Sequence, residues 1–253
     1  MSEERGRALS FGSVAEDYEA TRPGWPLSPF AEVLGHFAVR DQPDVVDIAA
    51  GTGKLTRTLA QLAGTLVAVE PDASLRAVLE RVLPEVDVLD GTAEALPLAS
   101  ASADLACAGQ AFHWFDVEAA LGEIARVLRP GGVVIAGWNS PPEDGTWYDA
   151  VIDFLHVANP GHLPAQARDW AVDFAHPAFG EFFETTGHHV QASDHERFTR
   201  LLGTHSMINL LPPDRRGALI AEAVAVAVEQ GAFALDGTCQ IPWRCDLYAV
   251  RLV

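Results

Sequence analysis

Between residues 44 and 138, short apolar runs alternate with stretches whose apolar residues recur every third or fourth position. The runs are "DVVDIA", "TLVAVE", "EVDVLD", "ADLACAG" and "GVVIAGW"; the periodic stretches between them are "KLTRTLAQLA", "ASLRAVLERVL" and "VEAALGEIARVL". Runs rich in Val and Ile fit buried strands, and a period near 3.6 fits amphipathic helices. Strands joined by helical crossovers lie parallel, so the pattern predicts an α/β, doubly wound sheet. Arg129, Pro130, Gly131 and Gly132 close the last helix, because proline cannot continue it and glycine eases the reversal.

Outside this block the pattern changes. Upstream, "FGSVAEDYEATRPGWPLSPFAEVLGHFAV" reads as two short helices split by a proline-rich bend. Downstream, "WYDAVIDFLHVA" and "RRGALIAEAVAVAVEQ" read as helices of an inserted cap, and "CQIPWRCDLYAVRLV" has strand character and is expected to return to the sheet edge. The expected organisation is one domain over 1–253. It has a ligand-binding core at about 40–140, a helical cap at about 141–236 and a C-terminal strand at 237–253.

The first strand runs into "AAGTGK", a cluster of small residues followed by a helical pattern. Gly51 and Gly53 permit backbone angles or ligand approach that a Cβ would obstruct. A ligand lying over such a turn can reach main-chain N–H groups and the positive end of a helix dipole. A phosphate-cradling P-loop is excluded, since Ile48 and Leu55 stand where it needs Gly and Ser or Thr. A dinucleotide fingerprint counted from Gly51 meets Thr56 at its last position and is incomplete, so that reading stays open beside S-adenosylmethionine.

Charge narrows the partner. Asp and Glu outnumber Lys and Arg by 35 to 17, a formal net charge of -18, which repels phosphate backbones and favours a small molecule over nucleic acid. No segment has the uninterrupted apolar length of a membrane span, and "MSEERGRALS" lacks a signal peptide's apolar core, so no membrane partner and a cytoplasmic location are expected. Cys107, Cys239 and Cys245 contain no C-x-x-C pair and fit reduced thiols.

Ligands of open parallel sheets bind beyond the carboxyl ends of the strands. The first end offers Ala49, Ala50, Gly51, Thr52 and Gly53; the second offers Glu70, then Pro71 and Asp72. A carboxylate at Glu70 could accept hydrogen bonds from vicinal ribose hydroxyls, whereas Asp72 is better suited to a helix N-terminus. The third end is "DGTAEALP", where Asp90, Thr92 and Glu94 serve either a turn or a site. The fourth is "GQAFHWFD", an aromatic-rich ridge carrying Gln110, His113 and Trp114.

Four ordered blocks, "VVDIAAGTGKLTRTLA", "VAVEPDASLRAVL", "GTAEALPLASASADLACAGQAFHWFD" and "EIARVLRPGGVVIAGWN", give the chain a family resemblance. It resembles the class I S-adenosylmethionine-dependent methyltransferases, in the group called type 11, over about residues 10–140. Weaker likeness continues at "THSMINLLPPDRR" and "IPWRCDLYAVRL". The resemblance implies a Rossmann-like, mostly parallel seven-stranded sheet, S-adenosyl-L-methionine as cofactor and S-adenosyl-L-homocysteine as product. It places the turn of Ala49, Ala50, Gly51, Thr52 and Gly53 beneath the methionyl part, with Asp47 ordering the turn or its water contacts. It puts Glu70 on the ribose, Pro71, Asp72, Thr92, Ala93 and Glu94 around the adenine, and Gln110 beside the methionine. "YEATRP" resembles a segment that folds over the cofactor, which makes Tyr18 and Arg22 candidates, Arg22 for the ligand carboxylate. The family turn commonly begins with Gly where this chain has Ala49.

The implied reaction is methyl transfer to a small-molecule acceptor by in-line displacement, with orientation and water exclusion supplied by the protein. His113 is a candidate for base, orienting group or simple packing partner of Trp114. Trp114, Trp147 and His205 are further acceptor candidates, and Trp170, His176 and Phe179 are conspicuous in the cap. His188 and His189 are adjacent and would point apart on a strand, so no metal is expected. An inactive cofactor-binding module and a nicotinamide oxidoreductase are the competing functions.

Overall fold

A computed structural model describes residues 15–143, 145–158, 174–209 and 211–253. Its seven strands are β1 (Asp44–Ile48), β2 (Thr65–Val69), β3 (Asp87–Leu89), β4 (Ala103–Gly109), β5 (Leu128–Ser140), β6 (Phe179–Asp194) and β7 (Thr238–Leu252), in the spatial order β3-β2-β1-β4-β5-β7-β6. β1 pairs in parallel with β2 and β4, β2 with β3, and β4 with β5. The five strands read from the apolar runs are therefore present and parallel. The order reverses between β1 and β4, which creates a switch point at their carboxyl ends. β7 lies between β5 and β6, so the expected return of the C-terminal strand to the sheet edge is corrected: the edge belongs to β6.

The chain divides into two compact units, one of Gly24–Asn139, Ala165–Gly187 and Cys245–Val253, the other of Met1–Pro23, Ser140–Pro164 and His188–Arg244. In the first, successive strand residues enter different cores. Val46, Ile48, Ala106, Ala108, Val134 and Ala136 join one buried cluster, and Val45, Leu105, Cys107, Val133 and Ile135 join another. Side chains alternate along a strand, so this sheet is covered on both faces. Helix α2 (Leu27–His36) supplies Phe30 and Val33 to the second cluster. Helix α4 (Ala73–Val82) starts where the Asp72 carboxylate accepts from the Ser74 and Leu75 N–H groups, and α5 (Val117–Val127) starts where Asp116 accepts from Ala119. These caps satisfy N–H groups that have no partner inside the helix.

The predicted helix over residues 54–63 shrinks to α3 (Thr56–Leu59). Around it the Arg57 N–H reaches Gly53 O and the Ala63 N–H reaches Leu59 O, while Thr58, Gln61 and Leu62 bond one residue nearer, so the segment winds unevenly between helix types.

The second unit has its own core, built from Tyr148, Val151 and Leu155 of α6 (Trp147–Ala158), Phe198, Leu201 and Leu202 of α7 (His195–Gly203), Met207 and Ile208 of α8 (Ser206–Asn209), and the inner face of α9 (Pro213–Glu229). Helix α1 (Ala15–Thr21) also belongs to it. The sequence reading of 141–236 as helical omitted β6, which runs through that range. No helix among the described residues is long and apolar enough to cross a membrane.

Candidate functional site

The carboxyl ends of β1 and β2 are tied together by one buried carboxylate. Glu70, 4% exposed, accepts from the Gly51 N–H through Oε2 at 2.8 Å and from the Asp72 N–H through Oε1 at 2.8 Å. Its own N–H donates to Leu89 O of β3, and Arg76 of α4 donates to both Glu70 O and Asp90 Oδ1. Three strand ends are thereby held by a continuous chain of hydrogen bonds. Burial pushes the Glu70 carboxyl above the usual range, opposed by the N–H groups of Asp72 and Gly51. Two acceptor oxygens carry about four lone-pair directions, so the two backbone bonds leave capacity for a ligand hydroxyl.

Ala49, Gly51 and Gly53 all have left-handed backbones, with φ of 54°, 60° and 89°. At Ala49 that conformation costs about 1–2 kcal/mol relative to glycine. A Cβ added to Gly51 would meet no heavy atom within 4 Å, so the space over this residue is open. Gly53 differs: its Cβ would come within 3.0 Å of the Leu83 and 3.2 Å of the Leu79 side chain, which would have to shift by a few tenths of an ångström, and its positive φ itself favours glycine. Ala50 and Thr52 are buried under the turn.

Asp47 is fully buried on β1. Its Oδ2 accepts from Thr56 Oγ1 at 2.6 Å, while Oδ1 has no hydrogen-bond partner. Burial, with the nearby Glu70 charge adding to it, pushes this carboxyl up to about 7. A buried carboxylate oxygen left unmatched is costly, and such oxygens gather at functional sites.

At the end of β4, Gln110 also has a left-handed backbone, with φ of 58°. Its N–H donates to Gly137 O, and its side-chain amide donates to Asn139 O at 2.6 Å. A 3₁₀ turn over Phe112–Trp114 follows. His113 packs 4.5 Å from the Trp114 ring and accepts at Nδ1 from Trp138 Nε1 at 3.3 Å. Because indole can only donate, this bond leaves the hydrogen of the neutral imidazole on Nε2. In the loop after β3, Ala93 is buried, Thr92 bridges to Ala95, and Glu94 Oε1 accepts from the Asp116 N–H. Pro71 and Asp72 are partly exposed beside Glu70, Asp72 being occupied as the α4 cap.

Two contributors were not among the residues expected from the sequence. Trp25 lies against Gly109 and Gly137, where added Cβ atoms would stand 2.7 and 2.9 Å from its ring. Arg76 bridges the β2 and β3 ends; its place one turn into α4, after an N-cap, was the available clue. Four of the predicted residues, Tyr18, Arg22, Trp147 and His205, belong to the other unit. There Trp147 donates to Gln240 O and packs on Phe198 and Tyr148, and His205 bonds the Tyr148 hydroxyl. Trp170 lies outside the described residues. His176 accepts from the Ala178 N–H and packs beside Phe179 in the first unit. Among the described residues no group of three or more His, Cys, Asp or Glu is placed to hold a metal.

An open α/β sheet with strained turns, an unmatched buried oxygen and a buried acidic residue at adjoining carboxyl ends defines a protein built to bind a ligand there. The methyltransferase-domain family, type 11, matches residues 46–136. An uncharacterised methyltransferase of Schizosaccharomyces pombe is 32% identical over 84% of this chain and 85% of its own length. An uncharacterised methyltransferase of Mycobacterium tuberculosis is 42% identical, but over 56% of this chain and 57% of its own length. The solved structure of a proposed type II methyltransferase from Anaeromyxobacter dehalogenans is 26% identical, with a TM-score of 0.73 over 91% of this chain and 97% of its own. The chain belongs to the class I S-adenosylmethionine-dependent methyltransferases.

Proposed function

We propose that the protein transfers a methyl group from S-adenosylmethionine to a small-molecule acceptor, with the cofactor held at the carboxyl ends of β1 to β4. The observation that carries this reading is the bridge made by Glu70, whose carboxylate joins the Gly51 turn to the end of β2 beneath open space at Gly51. When bound, the cofactor supplies a methyl group activated on a sulfonium sulfur, which an acceptor takes by in-line displacement.

The chain's residues divide the remaining work. Glu70 accepts from ribose hydroxyls with the lone pairs its backbone bonds leave over. The turn from Ala49 to Gly53 brings main-chain groups close to the methionyl part, and Asp47 beneath it supplies negative charge for a cationic ligand. Pro71, Thr92, Ala93 and Glu94 border the adenine. Gln110, locked by Asn139 O, closes the methionine end. His113, with Nδ1 engaged by Trp138, orients the acceptor. The charge of -18 favours a small acceptor over a polyanion.

Calorimetric titration with S-adenosylmethionine, followed by an assay for S-adenosylhomocysteine over a panel of acceptors, tests the reading. Binding with product formation is expected. Binding of a nicotinamide dinucleotide in its place, or no product with any acceptor, contradicts it.

A further inference from the structure

The segment that joins β3 to β4 is fastened to α5 by an ion pair that does more than bridge one turn of helix. Arg126, in the last turn of α5, meets Glu123 through two parallel bonds, Nε to Oε2 at 2.8 Å and Nη2 to Oε1 at 2.7 Å. The same guanidinium donates from Nη2 to Leu96 O at 3.2 Å, and from Nη1 to Leu98 O at 2.8 Å and Ser100 Oγ at 3.3 Å. Together these bonds occupy every N–H that a guanidinium owns. Glu123 Oε1 also accepts from the Leu96 N–H at 3.0 Å, so the pair grips Leu96 by both of its main-chain groups. The Arg126 guanidinium holds the Glu123 carboxyl below its usual range, and the pair stays ionised through neutral pH.

Leu96 is one foot of a short arch. The Ala95 N–H donates to Thr92 O at 3.1 Å, which closes the arch across Ala93 and Glu94. A Cβ added to Gly91 would stand 2.6 Å from Pro97 Cδ and 3.0 Å from Val69, so the chain entering the arch packs on the chain leaving it. The Ala93 and Leu96 side chains are buried in the sheet's core, and Glu94 Oε1 accepts from the Asp116 N–H ahead of α5. An ion pair that served only its own helix would need only the Glu123 bonds, and an isolated pair of that kind contributes little. Here the remaining Arg126 donors all go to the connecting segment, on the side where the arch stands.

We propose that Glu123 and Arg126 are positioning residues for base recognition: by fixing Leu96 they hold the Thr92–Ala95 arch where it accepts adenine and rejects hypoxanthine. The inference rests on the reading above that borders the adenine with Thr92, Ala93 and Glu94. The two bases share an outline and differ in polarity along one edge, adenine pairing an acceptor at N1 with a donor at N6, hypoxanthine a donor at N1 with an acceptor at O6. A fixed arch meets the wrong base with unmatched polar groups, which is costly, whereas an arch free to shift can adapt to either.

The test titrates S-adenosylhomocysteine and its hypoxanthine counterpart, S-inosylhomocysteine, into the full chain by calorimetry. The wild type is expected to favour the adenine compound by at least about 10-fold. Arg126→Gln should narrow that preference by about 5-fold or more, chiefly by weakening the adenine compound, with Arg126→Lys intermediate because it keeps the charge and loses the fork. Hydrogen exchange across residues 92–98 should quicken in the same variant. Arg40→Gln, which gives up an ion pair with Asp104 at the amino end of the sheet, should keep the wild-type ratio and so controls for general loosening. An unchanged ratio in folded Arg126→Gln, equal narrowing in Arg40→Gln, or a wild type indifferent to the base would overturn the inference. If Arg126→Gln does not fold, Arg126→Lys decides by the same criteria. Failure of the wild type to bind S-adenosylhomocysteine would instead strike the cofactor reading itself.

Discussion

Asp44 opens β1 and Asp47 lies near its exit, yet the two carboxylates experience opposite environments. Asp44 accepts from Thr65 Oγ1 at 2.5 Å and pairs with Arg40 at 3.0 Å and Arg129 at 2.9 Å. Both arginines also engage Asp104 of β4, which accepts in addition from the Asp44 N–H. The Thr65 hydroxyl, assisted by Arg129 and Arg40, holds the Asp44 carboxyl below its usual range. Desolvation would raise Asp104, but the Asp44 N–H and the two arginines outweigh it and leave it lowered. Asp47 has one hydroxyl, one orphan oxygen and a raised titration point. The amino end of the sheet satisfies itself. At the carboxyl end, the charge is under-matched and the backbone at Ala49 and Gln110 is strained, as expected where a ligand completes the structure.

The contrast can be broken from either end. Asp47→Asn keeps the shape and removes the strained charge. Because the folded value lies near 7 and the ordinary value at 3.8, the native state holds a proton that the unfolded chain has lost between those limits. Stability therefore falls as pH rises through that window, and the penalty is complete above it. The variant should gain about 3–4 kcal/mol at about pH 8, and almost nothing near about pH 4, in urea titrations. It should also bind cofactor less tightly. Asp104→Ala should do the reverse, losing about 1–3 kcal/mol near neutral pH with cofactor affinity unchanged. Its carboxylate is depressed in the fold, so the wild-type contribution is present above the ordinary carboxylate value and disappears as pH falls through the lowered one. The smallest effect belongs to Ala49→Gly, which relieves a left-handed alanine but frees the unfolded chain. The unfolding free energy from urea titration should change by no more than about 1 kcal/mol, in the stabilising direction.

Much of the secondary structure was legible because its signals are local. "ADLACAG" coincides with β4 and "WYDAVIDFLHVA" with α6, since a buried strand and a one-sided helix each write their burial into residue spacing. Asp72 could be read as a helix start because capping is a nearest-neighbour effect. β6 escaped because "FGEFFETTGHHVQASD" is an edge strand whose exposed positions alternate with only half-buried ones, which leaves little hydrophobic contrast. The Glu70 bridge to the Gly51 N–H, the Trp138 bond that fixes His113 and the Arg22–Thr204 bonds join residues far apart in sequence, and no local pattern encodes them. The residue types were visible in advance; their partners were not.

The central claim is that the carboxyl end of the sheet, and Glu70 in particular, holds S-adenosylmethionine. Calorimetric titration of the cofactor into wild-type, Glu70→Gln and Asp104→Ala proteins tests it most directly. The account predicts that Glu70→Gln weakens binding by about 1–3 kcal/mol, through the loss of charge-assisted hydroxyl contacts, while Asp104→Ala binds like the wild type. Wild-type affinity in a folded Glu70→Gln protein, or equal weakening in both variants, would contradict it.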